Sequence, residues 1–328
     1  MYFCTLFNSY YLHKGIATYL SLEEVSDDFH LYVMAFDRKC YESLKSFNFQ
    51  HMTVELLDDF ETQELLSVKP TRNLAEYCWT CTPYVTYHFM MSYNLPSITY
   101  IDADLYFINS PRVLLDEIGS ASIGLSEHWF DYENHRAGRF CVQFNYFKND
   151  EEGVNALKYW KDSCLDWCYA RYEDGKFGDQ YYVEEIYHKY RDVHVIENRG
   201  CGIAPWNENN YDFDTKDEIS YQGKQYASIF YHFHGALFLV EKDKLILTSG
   251  DGAINEKTGK IFYLPYLQLM QQVYNQYLNI KISEIEVRDI NKRKKIFNWL
   301  KHKLSCNPIA RYIYYNVLDI RYTGFEKK

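Results

Sequence analysis

Two acidic residues, Asp102 and Asp104, follow an apolar run over residues 97–101 that is suited to a buried strand. Side chains alternate between the two faces of a strand, so residues two positions apart project to the same side. Two carboxylates this close repel each other unless a cation lies between them, and a hard divalent cation takes carboxylate oxygens together with phosphate oxygens of a substrate. The pattern therefore predicts a metal site that also holds a diphosphate; an acidic loop after a strand is the alternative.

Two further groups could belong to such a site. His232 and His234 stand at alternate positions at the end of a strand-like segment, so they share a face and one of them could bind a metal. A structural core histidine is the alternative. Arg72 precedes a helical segment, where it could face a diphosphate; it could equally be a solvated surface arginine.

The elements that must position these residues alternate between strand and helix. Strand-like segments cover residues 2–7, 29–36 and 52–56, and helical segments lie between them. Units of this length predict a parallel sheet flanked by helices, with ligands at the carboxyl ends of its strands. Asn8, Asp37 and the two acids would then share one edge of the sheet. A helical period over residues 73–93 contains Pro83, which predicts a kink or a restart there.

Composition and charge limit the possible functions. The chain has 328 residues, of which 47% are hydrophobic, enough for one large domain with appendages or for two domains. A net charge of -10 argues against nucleic acid as a partner. The nine cysteines show no framework spacing, which fits a reducing cytoplasm. Because the sequence shows neither a signal peptide nor an apolar run that could span a bilayer, we expect a cytoplasmic protein.

The charge is unevenly distributed, because basic residues dominate from Arg288 onward. Residues 291–304 have the composition of a basic helix with an apolar stripe, which consists of Ile296, Phe297, Leu300 and Leu304. This pattern predicts peripheral binding to an anionic membrane surface, with packing against the acidic body as the alternative. We expect residues 1–262 to form the main domain and residues 263–328 a helical extension that is basic from about residue 288.

In four segments, found in the expected order, the chain resembles the nucleotide-sugar glycosyltransferases of the GT-A fold. Residues 100–104 match the D-x-D strand end, 140–147 resemble the F-N-x-G acceptor strand, 177–180 match the D-Q helix start and 231–235 resemble the H-F-x-G segment. The resemblance is to the nucleotide-diphospho-sugar transferases and their relatives in the group of glycogenin and the lipopolysaccharide galactosyltransferases. It implies an α/β fold with a mixed, Rossmann-like sheet flanked by helices.

By this resemblance, Asp102 and Asp104 would bind Mn²⁺ or Mg²⁺ with His232 as the third ligand, and Asp179 and Gln180 would lie under the donor sugar. The expected donor is a uridine diphosphate sugar. The residues expected to contact its nucleotide are Thr5, Phe7, Asn8, Asp37, Arg72, Asp102, Ala103 and Asp104.

The sequence departs from the family pattern at two places. The lysine-proline-tryptophan that often follows H-F-x-G is replaced at residues 236–238, so one diphosphate cation is missing. The glycine of the acceptor strand is also absent, with Gln143 and Phe144 in that region.

The implied reaction moves the sugar to a hydroxyl of a glycan or a lipid-linked acceptor. A retaining enzyme needs no strong base, whereas an inverting enzyme does, and Glu127, His128 and Asp131 are the candidates. Asp179 and Gln180 favour retention by resemblance. The alternatives are a non-catalytic carbohydrate-binding or membrane-surface protein and a phosphatase of the haloacid-dehalogenase type, whose D-x-D pair lies on the first strand.

Overall fold

A computed structural model of the chain describes residues 1–130, 138–249 and 254–288. The strands are β1 (Tyr2–Phe7), β2 (His30–Ala35), β3 (Met52–Leu56), β4 (Ser97–Ile101), β5 (Leu105–Phe107), β6 (Ile123–Glu127), β7 (Phe140–Lys148), β8 (Val193–Val195), β9 (Cys201–Ile203), β10 (Glu218–Tyr221), β11 (Lys224–Ala227), β12 (Phe230–His232), β13 (Ala236–Glu241), β14 (Lys244–Ser249) and β15 (Glu284–Val287). The α-helices are α1 (Leu12–Val25), α2 (Arg38–Phe47), α3 (Leu57–Phe60), α4 (Gln63–Val68), α5 (Leu74–Ser92), α6 (Arg112–Ile118), α7 (Glu151–Asp166), α8 (Gln180–Lys189), α9 (Glu256–Thr258) and α10 (Leu264–Gln276).

Within the described residues, seven strands form the main sheet in the order β3-β2-β1-β4-β7-β6-β8. Strand β7 runs antiparallel to both of its neighbours, β4 and β6, whereas the other adjacent pairs are parallel. A smaller sheet, β5-β12-β9, lies beyond the end of β4, and β13-β14-β15 form a third sheet. This mixed α/β architecture confirms the fold class that the sequence predicts.

The main sheet is buried on both faces, as its parallel strands require. In β1, Phe3 and Phe7 belong to one core cluster, together with residues of α1 and α10. Cys4 and Leu6 of the same strand belong to the other cluster, together with residues of α5, α7 and α8. This alternation follows from the two-residue period of a strand, and it fixes which residues can face the carboxyl edge of the sheet.

Helix α5 shows where packing overrides local preference. It runs from Leu74 to Ser92 through Pro83, so the predicted restart does not occur. Its start is fixed by a capping box, in which Asn73 accepts from the Glu76 amide and the Glu76 carboxylate accepts from the Asn73 amide. The middle of α5 is buried against β1 and α7, and this burial outweighs the hydrogen bond that a proline cannot donate.

The predicted helix after residue 262 is also present. Helix α10 packs against α1, and β15 adds to the third sheet beside β14. The basic segment from residue 289 onward lies outside the described residues. Among the described helices, none combines the length and the apolar character that a membrane crossing requires.

Candidate metal centre and cleft

A cleft of about 1090 Å³ opens at the carboxyl edge of β1 and β4. Parallel strands end at this edge, which is where open α/β sheets bind their ligands. Several residues that the sequence predicts for the site line the cleft: Phe7, Asn8, Asp102, Ala103, Asp104, His128, Asp179, Gln180 and His232.

Asp102, Asp104 and His232 lie together in the cleft. One ligand atom from each falls within 4.8 Å of the other two. His232 Nε2 is 3.1 Å from an Asp104 carboxylate oxygen and 3.6 Å from an Asp102 carboxylate oxygen. Asp104 and His232 are buried, and Asp102 is partly exposed toward the cleft. Two carboxylates and an imidazole form a donor set that suits a divalent ion such as Mn²⁺.

The local chain path explains this convergence. Asp102 follows the last residue of β4, and Asp104 precedes the first residue of β5. Strand β12 pairs antiparallel with β5, and its register places His232 directly opposite Leu105. The pairing of β12 with β5 therefore brings the histidine to the acids, although it follows Asp104 by 128 residues in the sequence.

Burial and neighbouring charges give the two acids different pKa values. Burial and the Asp104 charge raise the pKa of Asp102 to about 7, although the His232 charge opposes this. Burial also acts to raise the pKa of Asp104, but the charges of Lys14 and His232 hold it well below its ordinary value. Burial lowers the pKa of His232, yet the Asp104 charge and hydrogen bond raise it to about 10. A cation that binds Nε2 must displace this proton.

Two residues of helix α1 contact the segment that carries the acid pair. Lys14 Nζ lies 3.5 Å from Asp104 Oδ2, and both groups are buried. One turn later, the Thr18 hydroxyl lies 2.9 Å from the carbonyl oxygens of Ala103 and Leu105 and can donate to either. Sequence reasoning missed both residues. The available signal was their spacing of four on a helix whose remaining residues in that stretch are apolar.

Gln143 and Tyr100, which belong to the main sheet, form hydrogen bonds with members of the metal centre. The Tyr100 hydroxyl donates to Asp102 Oδ1 at 3.1 Å, and the Asp102 amide donates to the Gln143 carbonyl at 3.2 Å. Gln143 Oε1 lies 2.9 Å from His232 Nδ1. In the sequence, Gln143 stands out only as a departure from the family pattern, and nothing there indicates its contact with the histidine.

Asp179 and Gln180 line the same cleft at the start of α8. Burial raises the pKa of Asp179 to about 8, and the Asp102 charge adds to this shift. The Asp179 carbonyl accepts a hydrogen bond from Trp160 Nε1 at 3.0 Å, which fixes the backbone at this point. Gly178 has a φ of +56° and packs against the Trp79 ring, so a side chain there would be strained.

The other nucleotide-site candidates are placed differently. Asp37 accepts from the amides of Ser9 and Cys40, both at 2.7 Å, so its carboxylate caps α2 and holds the loop after β1. Thr5 is buried in β1, and its hydroxyl has no hydrogen-bond partner among the described residues. Neither side chain is among the described residues that line the cleft.

Arg72 and Glu127 also lie outside the described lining of the cleft. The Arg72 guanidinium stacks 3.9 Å from the centre of the Tyr169 ring and donates to the Leu165 carbonyl at 3.2 Å. The Glu127 carboxylate forms a salt bridge of 2.5 Å with Arg139. Asp131, the remaining candidate base, lies outside the described residues.

An aromatic wall faces the metal centre. The Trp206 ring lies edge-on to His232 and His234, with centroid distances of 5.2 and 5.5 Å. Its Nε1 donates to the His128 carbonyl at 2.8 Å, which ties this wall to the end of β6. Glu208, which also lines the cleft, accepts a hydrogen bond of 2.6 Å from the Tyr231 hydroxyl. The sequence gave no sign that Glu208 would be buried here.

The chain has a mixed sheet, two acids at the end of β4 and a histidine of β12 beside them, which is the arrangement that the GT-A resemblance in its sequence implies. No protein-family model matches the chain. It is 33% identical over 274 residues to "Uncharacterized protein YfnD" of Bacillus subtilis, across 81% of this chain and 87% of that protein. It is 30% identical over 244 residues to "Uncharacterized protein YfnF" of the same organism, across 71% and 80%. The chain belongs to the family of YfnD and YfnF.

Several solved structures are similar to the chain. The galactosyltransferase LgtC is 13% identical, with a TM-score of 0.43 over 64% of this chain and 77% of that one. Mouse xyloside xylosyltransferase 1 is 13% identical, with a TM-score of 0.46 over 70% and 96%. The glycosyltransferase GlyE of Streptococcus pneumoniae is 12% identical, with a TM-score of 0.38 over 60% and 45%. At these identities and TM-scores, the likeness assigns no activity to this chain.

Proposed function

We propose that the chain is a metal-dependent glycosyltransferase. It moves a sugar from a nucleoside diphosphate donor to a hydroxyl of a glycan or a lipid-linked acceptor. The observation that carries this proposal is the convergence of Asp102, Asp104 and His232 at the edge of the sheet, within a cleft large enough for a sugar nucleotide. The family resemblance in the sequence supports the same reaction.

The donor set fits a divalent ion that also binds a diphosphate. Carboxylate oxygens suit Mg²⁺, and the imidazole shifts the preference toward Mn²⁺ along the usual affinity order. Asp104 keeps its negative charge because its pKa is held low, so it would be the main anionic ligand. When bound, such an ion stabilises the negative charge that develops on a leaving phosphate.

Retention of the anomeric configuration is the proposed outcome. Asp179 and Gln180 lie in the same cleft as the acids, where they can contact a donor sugar. Glu127 is held by Arg139, which leaves His128 as the described candidate base that lines the cleft. A retaining reaction avoids the need for either, because the leaving phosphate can accept the proton of the acceptor hydroxyl.

For the donor, we propose a uridine diphosphate sugar. Phe7, Asn8 and Ala103 line the cleft beside the acids and could contact the nucleoside. For the extension, we propose that residues 263–328 follow a transferase domain of residues 1–262. Their basic part would bind an anionic membrane surface from the cytoplasmic side, where a lipid-linked acceptor would be within reach.

Thermal denaturation with uridine diphosphate tests the proposal. A ligand that binds only the folded state stabilises it by about 2.7 kcal/mol at 100 times its Kd. We expect uridine diphosphate to raise the melting temperature of the wild-type protein in Mn²⁺ but not in a chelator. Guanosine and thymidine diphosphates serve as controls for the base. If no nucleoside diphosphate shifts the melting temperature in Mn²⁺ or Mg²⁺, the transferase proposal is wrong.

A further inference from the structure

Strand β7 departs from a regular ladder next to the metal centre. Opposite β6, Leu125 pairs with Asn145, but the next residue, Ser126, pairs with Cys141. Residues 142–144 are therefore extra on the β7 side. Such irregularities re-aim side chains and occur preferentially beside functional sites. The residue at the centre of this bulge is Gln143.

Gln143 contacts two of the three members of the centre. Its backbone carbonyl accepts from the Asp102 amide at 3.2 Å. Its side-chain Oε1 lies 2.9 Å from His232 Nδ1, and the whole residue is inaccessible to solvent. The bulge thus places one buried residue in contact with both the end of β4 and the end of β12.

The contact determines which ring nitrogen of His232 carries a fixed proton. An amide oxygen only accepts, so Nδ1 must donate to it. Nε2 is then the nitrogen that can lose its proton and bind a cation, and it is the one that faces Asp104 at 3.1 Å. Histidines that bind metals are usually oriented by such a partner on the second nitrogen.

The side chain of Gln143 fits only because the residue beside it, Gly202, has no side chain. Gly202 has a φ of +89°, and a Cβ atom there would collide with Gln143 Nε2. That nitrogen has no hydrogen-bond partner among the described residues, an arrangement that destabilises a buried amide. An apolar side chain would avoid this destabilisation, so the amide oxygen accounts for the presence of glutamine.

We propose that Gln143 is a positioning residue for the metal centre. It holds the Nδ1 proton of His232, so that Nε2 faces the two carboxylates, and Gly202 provides the space for its amide. This inference rests on the proposed metal-dependent function, but it concerns how strongly the ion is bound rather than which reaction follows.

Calorimetric titration of the full-length protein with Mn²⁺ alone tests the inference. We expect Gln143→Met to weaken Mn²⁺ binding about 10–100-fold, as loss of an outer partner of a metal ligand does. Gln143→Glu keeps an acceptor for Nδ1, so it should bind Mn²⁺ at least tenfold more tightly than Gln143→Met. Asn145→Leu is the matched control. Asn145 is also a buried amide of β7, and its side chain has no hydrogen-bond partner in the described structure.

A second measurement needs no variant. Nitrogen-15 NMR of histidine-labelled wild-type protein in Mg²⁺ should show His232 with a protonated Nδ1 and an unprotonated Nε2. The opposite tautomer would overturn the inference, as would equal Mn²⁺ affinities for Gln143→Met and the wild type, or an equal loss in Asn145→Leu. Any of these outcomes leaves the transferase proposal in place if the wild-type protein binds Mn²⁺. A wild-type protein that binds neither ion overturns both.

Discussion

The ammonium group of Lys14 lies 3.5 Å from Asp104 Oδ2, and both side chains are buried. A buried carboxylate without a partner would take up a proton, because burial raises its pKa. Lys14 opposes this effect, so Asp104 stays ionised at the edge of the cleft. Together with His232, a lysine of α1 thereby keeps an acid that follows β4 charged, although the lysine lies 90 residues earlier in the sequence.

Replacement of Lys14 by methionine should destabilise the protein strongly. It leaves the buried Asp104 carboxylate without its lysine, and breaking a buried pair in this way typically destabilises by about 3–5 kcal/mol. Urea denaturation measures the change in the free energy of unfolding. Lys45→Met on the exposed face of α2 is the control, with an expected change within about 0.5 kcal/mol. Similar values for the two variants would show that the Lys14 contact does not matter.

Replacement of each of the three proposed ligands should show how much that ligand contributes to metal affinity. Asp104→Ala should lose more Mn²⁺ affinity than Asp102→Ala, because Asp104 is the acid with the lowered pKa and Asp102 the one with the raised pKa. Both losses should exceed the 10–100-fold that an outer partner contributes. His232→Ala should weaken Mn²⁺ binding more than Mg²⁺ binding, because imidazole favours Mn²⁺. Donor turnover against metal concentration measures all three, and an Asp104→Ala enzyme with normal turnover would contradict the metal site.

The main features of the fold were predictable because each depends on a local pattern. Strands β1 and β2 alternate with helices at the spacing that is typical of a parallel sheet, and the acid pair directly follows an apolar run. Contacts that depend on register between distant segments were not predictable. Neither the bulge that aims Gln143 at His232 nor the salt bridge that holds Glu127 to Arg139 leaves a periodic signal in the sequence. A single lysine within a helix is usually exposed, so Lys14 gave little warning of its burial.

Arg72 provides a test of the nucleotide-site prediction. Its guanidinium is engaged by the Tyr169 ring and the Leu165 carbonyl, which gives it a structural role between α5 and the end of α7. We expect Arg72→Ala to lower the melting temperature, because cation–π contacts contribute about 0.5–2 kcal/mol to stability. Because Arg72 is outside the described lining of the cleft, the Kd for uridine diphosphate should stay within about twofold of the wild-type value. Calorimetry with the nucleotide and Mn²⁺ measures the Kd. A tenfold loss of nucleotide affinity would instead support the role that the family resemblance implies.

The basic extension predicts a separable membrane contact. Each basic residue near an anionic surface contributes roughly 1 kcal/mol to binding. Deletion of residues 289–328 should therefore abolish co-sedimentation with vesicles that contain phosphatidylserine, while the uridine diphosphate-dependent rise in melting temperature persists. Vesicles of phosphatidylcholine alone serve as the control. If the truncated and full-length proteins sediment equally with anionic vesicles, the extension does not bind membranes.

The pKa of Asp179 predicts a specific pH dependence of stability. Burial, together with the Asp102 charge, raises this pKa to about 8 in the folded protein, whereas an unfolded aspartate titrates near 3.9. Between these values the folded state binds more protons than the unfolded state, so the contribution of Asp179 to stability falls as the pH rises from about 4 to about 8. Asp179→Asn removes this dependence, so its melting temperature should rise relative to the wild type across that window, with no further gain above it. Melting curves in a chelator at pH 4 to 9 measure the effect, with Asp116→Asn at an exposed site as the control. A constant difference between Asp179→Asn and the wild type at every pH would show that Asp179 does not titrate in this range.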